Sequence, residues 1–471
     1  MSKNHQRNER LNRRTFVSGL GAAAAASLAG CSNNGGGDGS GSGEQNLDFW
    51  LFGGIPAERE YISSHYTNYS KHKAKYQHKS WGDKYQIIAS AASNQNLPDV
   101  MAGQTQQIPD YASAGAIQPV DQEPFQDRLK KLNKPFVDAN IQAQQYSGLG
   151  DYDNKRQWGL PGGYADLGPF IDIRADYLKK TSFDKPPRTW PELIQMGKEM
   201  KEIEGVTAPI TAPGTDFGLT AGYFIGFVYA NGGRYFDPKT KKATINKPGF
   251  VDAVKLYQKI AEAGLFPKSI AELDHIAAGR LLREGKSGIF ITYSHANAVY
   301  QTTGAPQPWL DGKGHTVTRA PLPNNPSGNF EPQDLLLQNA QGFMLGGGID
   351  NDAQRTAAFD FAEWWNQPDQ LKPWTYKKDV GIRGRIPTIE SAFEEPADLM
   401  KSQFGDLLKL YDKNKLFTSS SRFPSFPGLS SVQSEINTKV IQPVATGKST
   451  AEKACNNANP AVQKILDENL S

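Results

Sequence analysis

"LPDVMA", residues 97–102, is a short apolar run entered through Pro98, and its length and composition read as a buried strand. Strand and helix signals alternate on both sides of it. Upstream, Leu47 to Phe52 is another short apolar strand, and Glu58 to Lys71 has helix-compatible spacing. Downstream, Thr189-Trp-Pro-Glu192 forms a capping box with proline in the first turn, followed by Leu193, Met196, Met200 and Ile203 at helical spacing and a stop at Gly205. Asn246 and Pro248 open a second helix that buries Phe250, Val254, Tyr257 and Ala261 and ends at Gly264. Ser287 to Tyr293 reads as a buried strand, Asp350 to Trp365 as a helix, and Ser449-Thr-Ala-Glu452 as the capping box of a last helix. The alternation predicts an α/β protein, and its irregular order without internal repeats disfavours a barrel.

The N-terminus carries an address. Lys3, Arg7, Arg10, Arg13 and Arg14 precede a mild apolar run from Phe16 to Gly30, too short and alanine-rich for a stable membrane span. Arg13-Arg14-Thr15-Phe16 resembles a twin-arginine signal, which exports folded proteins, and Leu28-Ala29-Gly30-Cys31 resembles a lipobox that makes Cys31 the acylated first residue of the mature chain. The alternative is an ordinary secretory signal with a chance cysteine. Residues 32–46 are rich in Gly, Ser and Asn and read as a flexible tether.

Composition narrows the function. Removing the five basic residues and one acid of residues 1–30 takes the formal net charge from +3 to −1, so the basic balance belongs to the signal. No basic stretch interleaves with aromatics after it, which argues against nucleic acid. About 425 folded residues exceed one ordinary core, so two lobes are expected. With Cys31 committed to lipid, Cys455 has no disulfide partner and reads as a small buried hydrophobe. The sequence contains no His-Glu-x-x-His, Cys-x-x-Cys, Gly-x-Ser-x-Gly or phosphate-loop motif, and Gly346-Gly347-Gly348 reads as a turn. His65, His72 and His78 lie in a Lys-rich stretch and read as surface histidines, not metal ligands; no metal and no cofactor are expected. Asp151, Asp153 and Asn154 read as a tight turn. Asp83, Asp216 and Glu394 are scattered carboxylates that sequence alone does not pair as glycosidase acid and nucleophile.

The chain does place aromatics beside polar residues at strand ends and loops: Trp50-Leu-Phe52, Trp81-Gly-Asp83, Trp158, Tyr164, Phe217, Tyr223, Tyr293-Ser-His295-Ala-Asn297 and Trp309. A sugar has apolar C–H faces and a rim of hydroxyls, which such pairs suit. Taken singly, most of these aromatics read as core.

Further motifs in order carry a resemblance. Leu97-Pro-Asp-Val100 with Tyr111 to Asp121, Trp158-Gly-Leu-Pro161, Thr189-Trp-Pro-Glu-Leu193, Asn231-Gly-Gly233, Lys242 to Pro248, Gly285 to Phe290, Ala357 to Trp365, Gly384-Arg-Ile-Pro387 and Thr446 to Glu452 are similar, over essentially the whole mature chain, to extracellular solute-binding proteins of family 1, the class that includes maltose-binding protein. The resemblance implies an α/β, two-lobed periplasmic-binding-protein-like fold with a ligand cleft between lobes joined by hinge crossings. These would fall near Pro169 to Asp172, near Pro321 to Pro323 and after Trp365. The expected division is a signal peptide at 1–30, a tether at 31–46, a first lobe of 47–170 with 323–366, and a second of 171–322 with 367–471. The implied function is a lipid-anchored, monomeric, non-enzymatic receptor that delivers a carbohydrate to ABC permease subunits from the outer face of the cytoplasmic membrane or the periplasm. By position, the resemblance offers Phe52, Glu58, Asp83, Gln104, Gln106, Gln107, Asp216, Phe217, Tyr293, His295, Asn297 and Arg383 to the ligand, with Arg385 beside the last. His295 and Asn297 stand where many relatives place a tryptophan. A surface hydrolase or lyase, or the same fold with glycerol phosphate or a polyamine as ligand, are the other readings.

Overall fold

The computed structural model describes residues 44–52, 64–66, 68–136, 138–147, 154–215, 219–296, 317–327, 337–371, 386–389 and 424–470. A seven-stranded sheet organises the first lobe. Its strands are β1 (Asn46–Phe52), β2 (Lys73–Lys79), β3 (Val100–Gln104), β4 (Ile117–Gln118), β5 (Gly159–Gly168), β10 (Leu337–Gly346) and β11 (Ile386–Pro387), in the order β11-β5-β10-β3-β1-β2 with β4 added to β10. The strands β1, β2 and β3 are parallel, and β10 runs antiparallel to both β3 and β5. Both faces of β1 are covered: Phe49 and Leu51 join Phe343 and Trp365 on one side, while Trp50 joins Met101, Tyr111 and Trp158 on the other. Burial on two faces explains why Phe49 to Phe52 of this strand are continuously apolar without alternation.

The second lobe holds a four-stranded sheet of β6 (Phe170–Arg174), β7 (Ile210–Thr211), β8 (Ile289–Thr292) and β9 (Val317–Pro321), ordered β9-β6-β8-β7. Every residue of β8 is buried. Helices α4 (Trp190–Lys201), α5 (Leu219–Ala230), α6 (Pro248–Glu262), α9 (Leu429–Ile436) and α10 (Ala451–Asn469) contribute to one continuous core with this sheet, and Cys455 is fully buried within it. The first lobe carries α1 (Lys84–Ser93), α2 (Ile108–Ser113), α3 (Gln126–Asn133) and α8 (Asp352–Trp365), while α7 (His275–Arg283) packs beside β8.

The chain leaves the first sheet at Gly168 and enters the second at Phe170, then returns between β9 and β10. Residues 386–389 correct the expected division. Ile386 and Pro387 pair with Ala165 and Tyr164 of β5, Ile389 bridges Phe136, and Leu371 and Ile389 sit in the first lobe's core. The last passage to the second lobe therefore follows Ile389, not Trp365.

Local signals act much as their chemistry dictates. The Thr189 capping box is complete, with Thr189 Oγ1 accepting from Glu192 N and the Glu192 carboxylate accepting from Thr189 N. At the last helix the cap is Thr450, which accepts from Lys453 N, not Ser449 as the sequence predicts. The strand read at 97–102 begins only at Val100, because Asp99 turns its carboxylate onto Asp48 N at 2.7 Å. The histidines also differ from expectation. His65 and His72 are each 8% exposed: His65 lies against the rings of Trp364 and Trp365, and His72 accepts from Gln45 N and meets Asp360 at 2.8 Å. The paired tryptophans and Asp360 all project from α8, whose cover over this segment is a long-range feature. Among the described residues no cluster of ligating side chains fits a metal ion, and no helix is long and apolar enough to cross a membrane.

Candidate functional site

The carboxyl end of β3 begins the site. Gln104 closes the strand, a single 3₁₀ turn spans Thr105–Gln107, and α2 starts at once with Pro109 in its first turn. Thr105 Oγ1 donates to Ala340 O at 3.2 Å, which pins the turn to β10. Ligands of open α/β sheets bind at such strand ends.

From this turn a polar relay runs toward the second lobe. Gln106 Nε2 donates to Gln104 Oε1 at 3.0 Å, and Gln104 Nε2 donates to Asp166 Oδ2 at 3.4 Å. Asp166 is only 2% exposed and stands on β5, two residues before the crossing at Gly168. Across the lobes, His295 Nδ1 lies 3.8 Å from Asp166 Oδ1, and His295 Nε2 is 3.1 Å from the Tyr223 hydroxyl. The Tyr293 ring stacks on His295 at 6.1 Å with an interplanar angle of 10°, and His275 meets His295 edge-on at 5.8 Å. Burial pushes the Tyr293 phenol well above its ordinary range, so it is a neutral side chain in this cluster. The arrangement offers an acid, amides, a phenol and an imidazole from two lobes, a set able to donate to and accept from hydroxyls.

The structure sorts the candidate residues. Gln104, Gln106, Tyr293 and His295 come together around Asp166. Gln107 is fully buried and accepts from the Tyr111 hydroxyl at 3.0 Å, and Tyr293 is stacked on His295 and edge-on to Tyr223 at 4.8 Å. Phe52 is half-buried at the end of β1, 6.3 Å from the Trp50 ring. Asp83 is exposed at the start of α1 with no side-chain cap, outside the relay. Cys31, Glu58, Asp216, Phe217, Asn297, Arg383 and Arg385 lie outside the described residues. Sequence reasoning missed Asp166. Its signal was a lone acid in "GGYADLGPF", an otherwise apolar and glycine-rich strand where a carboxylate needs a reason.

Comparisons with known proteins bear on the family and the fold. Residues 55–372 match the family model described as bacterial extracellular solute-binding protein. The chain is 28% identical over 170 residues to a probable ABC transporter-binding protein of Deinococcus radiodurans, covering 35% of this chain and 38% of that one. It is 24% identical over 308 residues to the maltotriose-binding protein of Pyrococcus abyssi, covering 64% and 56%. The matched regions thus span between about a third and about three fifths of those relatives. Among solved structures, maltose-bound T. maritima MalE3 superposes with a TM-score of 0.72 at 17% identity, over 89% of this chain and all of the other, which fixes the two-lobed α/β fold. With the family model matching more than half of its length, the chain belongs to the bacterial extracellular solute-binding proteins.

Proposed function

We propose that this protein is the substrate-binding receptor of an ABC import system, capturing a carbohydrate between its lobes and presenting it to membrane permease subunits without chemical change. The observation that carries the reading is the relay Gln106–Gln104–Asp166–His295–Tyr223, whose members belong to both lobes and meet beside the crossing. A ligand bound to both halves favours their approach, and the closed population is what a transporter can read. The maltotriose- and maltose-binding relatives support a sugar, and the mixed donor and acceptor set suits hydroxyls. Gln104, Gln106 and His295 are the half-buried members of the relay and are the ones we assign to the ligand, with Asp166, only 2% exposed, bonded to Gln104 and facing His295.

The test is a thermal-shift panel of mono-, di- and oligosaccharides, uronates, glycerol phosphates and polyamines. Ligand at a hundred times its dissociation constant adds roughly 2.7 kcal/mol of stability. A sugar that raises Tm and is recovered intact supports the receptor; a sugar that is consumed points to an enzyme, and a response only to polyamine or phosphate changes the cargo. The export reading is part of the same proposal: Cys31 is the lipid anchor and Arg13-Arg14 the twin-arginine pair. Cys31→Ser is expected to release the protein from the membrane fraction, and Arg13→Lys with Arg14→Lys to block export.

A further inference from the structure

A second set of contacts joins the lobes, and it contains a carboxylate the relay does not use. Asp110 lies in the first turn of α2 and is 5% exposed. Both its oxygens accept backbone N–H groups from the other lobe: Oδ1 from Gly428 at 2.7 Å and Oδ2 from Ser430 at 3.3 Å. Gly428 is the N-cap residue of α9, in the left-handed region with φ +80° and without a side chain to cap the helix. An N-cap side chain ordinarily accepts from the second or third residue of the helix it precedes. Asp110 takes that role from outside α9, and from the opposite lobe.

Neighbouring contacts support the same junction. Ser425 Oγ donates to Gln106 O at 3.3 Å, and the Ser430 hydroxyl bonds to Tyr85 and Asp110. Lys84 supplies positive charge to Asp110 from α1, held 4.2 Å over the Trp81 ring and 4.7 Å over the Tyr85 ring. The junction is separate from the crossing at Gly168–Phe170. Asp110 stands in α2 directly after the turn that carries Gln106, whose carbonyl takes the Ser425 hydroxyl of the same junction.

We infer that Asp110 is an interlobe latch: it caps α9 when the lobes are together and leaves that helix uncapped when they part, setting the closed-to-open ratio and therefore ligand affinity without touching ligand. A ligand's apparent affinity scales with the fraction of protein in the competent state, so losing the latch weakens every ligand by the same factor. This goes beyond the receptor reading and is testable without any ligand.

The test uses spin labels at Lys130→Cys on the first lobe and Lys453→Cys on the second, both exposed, in the chain carrying Cys31→Ser. Distance distributions are recorded without ligand for the Asp110 parent, Asp110→Asn and Asp110→Ala. Asparagine keeps one capping acceptor and alanine keeps none. The parent is expected to show a compact population, alanine to lower its ratio to the separated one roughly tenfold, and asparagine to fall between. Circular dichroism and Tm distinguish parting of the lobes from loss of fold, and Asp110→Asn carries the test if Asp110→Ala does not fold. Distributions unchanged in both variants, or a parent that samples only the separated distance, would overturn the latch.

Discussion

Lys84 shows how one buried side chain sets a pH dependence. It is 4% exposed, and burial, opposed only by the charge of Asp110, pulls its ammonium from the usual lysine range down to about 7. Between about pH 7 and the ordinary lysine value the unfolded chain holds a proton that the folded chain has released. Stability from this group therefore rises with pH through that window; below it both states are protonated and the penalty is constant. Lys84→Met is expected to flatten the rise, by on the order of a few kcal/mol at most, when urea midpoints are compared between pH 7 and pH 10. At the relay, His295→Ala is expected to weaken the ligand found by the thermal-shift panel about tenfold or more in calorimetry, while the exposed Asp83→Ala leaves affinity within twofold. Equal loss in both variants would remove His295 from the contact set. Legibility at this scale was uneven. Gln104, Gln106 and His295, offered by the resemblance from their positions after strands, lie together around Asp166. Asp166, Asp110 and the burial of His72 were not legible, because each depends on a partner between roughly sixty and three hundred residues away in sequence.

Elements were read more securely than residues, since caps and periodicity are local. The Thr189 box is an example, and Thr189→Ala is expected to cost about 1 kcal/mol in denaturant midpoint. Ser449 failed as a cap only by one position, where two hydroxyl residues stand side by side and Thr450 takes the role. Pairing between strands was not legible in the same way. Arg319 on β9 sits opposite Asp172 on β6 and grips it at both oxygens, at 2.7 and 2.8 Å, with the two side chains 4% and 0% exposed. Asp172→Ala leaves a buried guanidinium facing no carboxylate on its neighbouring strand and is expected to cost about 3–5 kcal/mol; the double change Asp172→Leu, Arg319→Met should recover most of it. If the double variant is as unstable as the single, the pair's role is more than mutual neutralisation.

For the whole molecule, chain length and motif order pointed to two lobes, yet the final passage was placed too early because β11 is only two residues long and carries no periodicity. What the lobes pivot on is a matter of packing at the crossings. Gly226 of α5 faces both: a methyl built there would overlap the Pro169 ring and come within 2.8 Å of Leu322 Cδ1. Pro169 and Leu322 are the residues at which the chain leaves and re-approaches the first sheet. A glycine in a helix interior ordinarily costs about 1 kcal/mol against alanine, so on propensity alone Gly226→Ala would stabilise α5. Here the helix cannot accept the methyl without pushing both crossing segments, and overpacking of this kind costs about 1–3 kcal/mol. The pyrrolidine ring of Pro169 has no rotamer by which to yield, so the displacement passes to the angle between lobes. Gly226→Ala is therefore expected to lower Tm and to shift the ligand-free scattering radius of gyration. A variant with raised Tm and unchanged scattering would show that α5 can slide away from the crossings and that the hinge is softer than this packing requires.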